Sequence, residues 1–83
     1  MFTTIEKLQD RVNSYGAVLE YKDHVLVTNL NYREEFIAEI YEFIETPEEI
    51  GISKIECRLN LIKKSEENFE DSGSAILWCF ENL

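Results

Sequence analysis

The sequence predicts one α+β domain over residues 1–83, ordered helix–hairpin–helix–hairpin, with a four-stranded antiparallel sheet and two helices on one face. Three observations carry that expectation. Apolar residues recur at helical spacing near the start and again after residue 35. Two short β-rich runs flank Lys22-Asp23, and residues 52–64 alternate between apolar and polar.

The first helix is expected at residues 4–15. Thr3-x-x-Glu6 has the form of a capping box, Ile5, Leu8, Val12 and Tyr15 follow at helical spacing, and Gly16 is a natural stop. Ala17 to Tyr21 and His24 to Leu30 then form a hairpin about Lys22-Asp23. Asn31 offers a second N-cap, and Phe36, Ile37, Ile40, Tyr41, Phe43 and Ile44 make a wide apolar stripe, so a second helix is expected to about Glu45. Thr46-Pro47-Glu48-Glu49 starts one further helical turn, with proline at the first position and Gly51 ending it. Ile52 to Lys64 reads as a strand with Ile55, Cys57, Leu59 and Leu61 on one face. A polar, acidic loop covers residues 65–73, and Ser74 to Leu83 reads as the last strand. The favoured register of that last hairpin opposes Cys57 to Trp78 and Leu59 to Ile76. A shift of one residue would instead pair Cys57 with Cys79 and expose Trp78 and Phe80.

Charge is the most informative property of the chain. Its formal net charge is −9, yet 45% of its residues are hydrophobic, so acidity here does not mean disorder. Residues 34–49 carry seven glutamates and no base, and residues 66–83 carry five acids and no base. Residues 50–65 hold Lys54, Arg58, Lys63 and Lys64 against Glu56 alone. Such a surface attracts cationic partners and repels nucleic acid and anionic lipid. Direct nucleic-acid binding and membrane association are therefore not expected. The start of the chain has no basic region followed by an apolar one, and the longest apolar run, Ala75 to Phe80, is far short of a span, so a cytoplasmic protein is expected.

No catalytic, cofactor or metal motif accompanies the acids. Cys57 and Cys79 lack the spacing of a zinc or redox pair, His24 is the sole histidine, and buried reduced thiols are the better reading. Gly16, Gly51 and Gly73 are isolated and form no phosphate loop. The loop from Glu66 to Gly73 is rich in oxygen ligands but lacks the EF-hand spacing, and Phe69 within it is expected to tuck beneath the loop. No catalytic, cofactor or metal residue is accordingly expected.

What remains is a non-enzymatic acidic module that binds a basic protein. Glu35, Glu39, Glu42, Glu45 and Glu49 form the expected contact face, with Glu66, Glu67 and Glu70 as an outlying contact. On a helix, Glu34 to Glu45 would span about 16 Å, the length over which one DNA strand places about five phosphates. The expected partner is a nucleic-acid-binding enzyme whose basic surface is blocked, in the manner of a phage anti-defence or immunity-type inhibitor. The alternative is a homo-oligomeric accessory protein, a homodimer being the simplest, that uses its last strand as interface.

Overall fold

The computed structural model describes residues 2–83. Its elements are α1 (Ile5–Arg11), β1 (Ala17–Tyr21), β2 (His24–Leu30), β3 (Phe36–Phe43), α2 (Pro47–Ile50), a 3₁₀ turn (Lys54–Glu56), β4 (Leu59–Lys64) and α3 (Ser72–Glu81). The four strands form one antiparallel meander in the order β1-β2-β3-β4. The α+β class and the four-stranded antiparallel sheet are as the sequence predicts. Their assembly differs from the expected one in three respects.

Residues 36–43 are a strand, where a helix is expected. Phe36, Ala38 and Ile40 point to one face of the sheet, and Ile37, Glu39, Tyr41 and Phe43 to the other. Both faces are covered, so the apolar residues run almost without a break, and such a run satisfies a helical stripe and a doubly buried strand equally well. Phe, Ile and Tyr dominate it, which favours the strand. Asn31 does cap backbone, but of a turn: its Oδ1 accepts from the N–H groups of Arg33 at 2.8 Å and Glu35 at 3.1 Å.

Residues 72–81 are a helix, where the last strand is expected. Asp71 caps it, its carboxylate accepting from the Ser74 N–H at 2.7 Å. Ala75 and Cys79, one helical turn apart, are fully buried against Leu26, Ala38 and Ile40. There is consequently no last hairpin, and neither register expected for it exists. The partner of β4 is β3, through pairs such as Phe43↔Leu59 and Tyr41↔Leu61, with a bulge that leaves Ile62 outside the pairing. Its strand is also shorter than expected, because residues 54–56 turn as a 3₁₀ helix and expose Ile55.

The helices α1 and α3 lie on opposite faces of the sheet, not on one. Ile5 and Leu8 of α1 pack on Val25, Val27, Tyr41 and Leu59, with Val12, Val18 and Phe43 at the margin. On the other face α3 joins Phe36, Phe69 and Trp78 around Leu26, Ala38 and Ile40. Each side of the sheet thus has its own small apolar core.

The first hairpin matches the expectation, with Tyr21↔His24 closing it about a Lys22 at positive φ. Helix α1 ends at Arg11, short of the expected residue 15, and its cap is Thr4, whose hydroxyl accepts from the Lys7 N–H. Gly16 sits instead where the chain turns into β1. Helix α2 is the expected single turn, with the Glu49 carboxylate accepting from the Thr46 N–H at 3.2 Å and Gly51 in the left-handed region at φ 69°. No helix among the described residues is long and apolar enough to cross a membrane.

Candidate functional site

The strand at 36–43 redistributes the eight glutamates expected to bind a partner. Alternation along β3 sends Glu39 and Glu42 to opposite faces, so the phosphate-like row along a helix axis is not built. Glu39 faces α1, where it is 5% exposed and ion-paired with Arg11. Burial, and then the Glu39 charge, raises the neighbouring Tyr41 phenol above its usual value. Glu45 is held by Arg58, through guanidinium contacts at 2.9 to 3.2 Å and the Arg58 backbone N–H at 3.0 Å. These hydrogen bonds lower its carboxyl below the usual range. Glu49 is occupied with the cap of α2. Glu42 is exposed on the α3 face, opposite His24 on one side and Asn60 on the other.

The other four come together. A two-residue bridge joins β3 to the acidic loop: Phe36 and Phe69 exchange backbone hydrogen bonds, both at 2.8 Å. That bridge sets the loop against the turn at residues 34 and 35, and the Asn68 side chain donates to Glu35 Oε1 at 3.3 Å. The loop is pinned at both ends as well. At its start, Ser65 N–H donates to the Ala38 carbonyl at 2.9 Å while Ser65 Oγ accepts from Ala38 N–H at 3.1 Å. At its end, Asp71 caps α3, and the N–H it accepts from holds its carboxyl below the usual range. Phe69 tucks under the loop as expected, its ring centroid 6.5 Å from that of Trp78. Glu34, Glu35, Glu66, Glu67 and Glu70 therefore form an acidic pole on an ordered backbone. Among the described residues none of these five forms an ion pair.

A second acidic group lies at the far end of β3, which at about 3.3 Å per residue is about 23 Å away. Asp23, Glu45 and Glu48 surround a recess of about 440 Å³ walled by Phe43, Thr46, Pro47 and Lys54. Lys54 already occupies part of this recess. Its ammonium lies 5.3 Å from the Phe43 ring centroid and 3.0 Å from Glu20 Oε2, and Glu20, with Asp23 and Glu48 behind it, raises its pKa.

The cysteines sit apart in function and place. Cys57 is buried in the connection before β4, and Cys79 is buried on α3 with its thiol pushed up to about 11 by burial. A raised pKa is the reverse of what activates a nucleophile. Among the described residues no group of three or more His, Cys, Asp or Glu side chains is placed to hold a metal ion.

Sequence reasoning could not have joined Glu35 to the loop. The contact spans 33 residues and depends on the Phe36–Phe69 bridge, for which there is no local signal. The Asp71 cap was the one readable sign, since an aspartate followed by Ser-Gly-Ser before an apolar run marks a helix start.

Fold and surface together define a small acidic domain whose sheet is clasped between two helices and whose charge is gathered at the ends. The chain belongs to the family described as Nmad4, nucleotide modification associated domain 4, which it matches over residues 1–83. No protein of curated function and no solved structure matches it.

Proposed function

We propose that this chain is a non-enzymatic protein-binding module that covers a basic surface on a nucleic-acid-handling partner. The observation that carries the reading is the acidic pole: five glutamates on a loop and turn held by backbone hydrogen bonds, with no ion-pair partner among the described residues. Carboxylates that stabilise the fold are paired or capping, as Glu39, Glu45 and Glu49 are. Apart from Glu35, which accepts from Asn68, the pole glutamates have no such duty, and their backbone is already held by hydrogen bonds, which lowers the entropic cost of binding. A concentrated negative potential also speeds encounter with a basic surface and makes it salt-sensitive.

The family description supports the choice of partner. Association with nucleotide modification suits a protein that docks on an enzyme acting on nucleic acid, whose substrate groove is basic. Occupying that groove would inhibit the enzyme, as an anti-defence or immunity-type protein does. The contact residues of this reading are Glu34, Glu35, Glu66, Glu67 and Glu70.

The test is capture from nuclease-treated lysate of the native host on tagged protein, eluted with a salt gradient. A basic nucleic-acid enzyme should elute at moderate salt and be displaced by added DNA. The triple variant Glu66→Lys, Glu67→Lys, Glu70→Lys should lose that capture while keeping its circular dichroism. Retention of the enzyme by the folded triple variant would sink the reading.

A further inference from the structure

The two edges of the sheet are treated very differently. A free strand edge is a template for pairing with another chain, and folded proteins blunt it with charge, bulges or covering segments. On β4 all three devices are present. Thr3 bridges Leu59 in both directions, Ile62 bulges out of register, and Lys63 and Lys64 close the strand. Strand β1 has only one charged residue, Glu20, already ion-paired with Lys54, and neither of the other two devices. It contains no proline and no bulge, and among the described residues nothing pairs with its outer edge.

The edge also borders an apolar shelf. Leu19 and Tyr21 project on the α3 face, 39% exposed each, and the ring of Phe80 meets that of Tyr21 edge-on at 4.9 Å. Leu77 on the same helix is 57% exposed. The strand and its turn carry Glu20, Lys22 and Asp23, with Lys54 ion-paired to Glu20, two charges of each sign, while His24 adjoins Tyr21 and Glu81 adjoins Phe80. This is a locally neutral flank on a molecule of net charge −9. Two like-charged copies can approach each other here with least repulsion.

We infer that β1 is the interface of a two-fold homodimer, in which the strands of two copies pair antiparallel about Leu19 and join their sheets. The backbone fixes the register. Because Tyr21 and His24 close a two-residue turn, Ala17, Leu19 and Tyr21 direct their N–H and C=O groups toward β2, which leaves those of Val18 and Glu20 pointing outward. A two-fold axis at Leu19 sets Val18 of each copy opposite Glu20 of the other and forms about four backbone hydrogen bonds. Leu19 then meets its own copy in a non-hydrogen-bonded pair, where side chains approach most closely. On the same face, the small Ala17 lies opposite the large Tyr21, so the two copies interlock rather than collide. An isologous contact of this kind closes at two chains and does not propagate. This surface lies on a different strand from the acidic pole and does not depend on it; it also differs from the last segment, which is a helix.

Sedimentation equilibrium of the full chain tests the inference. The mass should rise with concentration from 9.8 kDa toward twice that value, and added salt should tighten the dimer by screening like charge. Leu19→Lys sets two ammonium groups face to face at the axis and should weaken the dimer by at least about a hundredfold, with unchanged circular dichroism. An equimolar mixture of Leu19→Lys and Leu19→Glu should recover it. Leu19→Cys, which adds no charge, should cross-link to itself under mild oxidation. A wild-type chain that stays at 9.8 kDa throughout, a folded Leu19→Lys that dimerises as well as wild type, or a Leu19→Cys that does not cross-link would each overturn it. Capture of a basic enzyme should survive Leu19→Lys, so this inference and the function proposed for the pole can fail separately.

Discussion

Glu39 occupies a position that the alternation of β3 reserves for an apolar side chain, and Arg11 reaches over from α1 to neutralise it. The guanidinium is half exposed while the carboxylate is 7% exposed, so most of the desolvation falls on the acid. Removing the base leaves that buried acid without its ion pair, although Lys64 lies opposite it on β4. Arg11→Met should cost about 2 kcal/mol in urea unfolding, a buried-pair penalty discounted for the exposure of the arginine. Adding Glu39→Met to Arg11→Met should recover most of the loss, because a matched apolar pair replaces a half-buried ionic one. If the single variant is as stable as the parent, the pair contributes nothing. At this scale sequence alone was least informative: Glu39 and Glu66 look alike in the chain, and only the fold makes one a core residue and the other a surface charge.

Strands and helices were legible where their periodicity was exposed to water on one side, and illegible where both sides were buried. The hairpin of β1 and β2 could be read to the residue, because a turn dipeptide separates two β-rich runs. Residues 36–43 and 75–80 are both near-continuous apolar runs, and each takes the structure the sequence suggests for the other. Period fails in such runs, and composition and caps must decide: aromatic and isoleucine side chains mark the strand, while Asp71 and the Ala75/Cys79 spacing mark the helix. The connection from α1 to β1 offers a test at the same scale. A Cβ on Gly16 would lie 2.7 Å from Asn29 Oδ1, 2.8 Å from Val12 Cβ and 2.9 Å from the Thr28 carbonyl oxygen. Gly16→Ala must shift this connection against Val12 and β2, and should lower stability by about 1–3 kcal/mol with an unchanged denaturant slope. A fully stable Gly16→Ala would mean that this connection is not packed as described.

Across the whole molecule, acids without ion pairs gather at the pole, while the far end of β3 and the β1 flank pair theirs with Arg58 and Lys54, a division that segment totals along the chain could suggest but not locate. The acid limb of stability should report the few carboxylates that are engaged. Glu45, lowered by Arg58, and Asp71, lowered by the Ser74 N–H, have folded pKa values below their ordinary 4.5 and 3.8. Their contribution is present above those ordinary values and is lost as pH falls through the lowered ones. Urea midpoints should therefore decline as pH falls below about 4.5, and Glu45→Gln should flatten that decline. An identical decline in the variant would assign the acid limb to other carboxylates. The placement of α3 has a further consequence, for the birth of the protein. Every other element precedes it in the chain, yet its Ala75 and Cys79, with Phe69 beside them, close the cluster over Leu26, Ala38 and Ile40. Until residues 72–81 join it, the sheet keeps an apolar side that no helix covers.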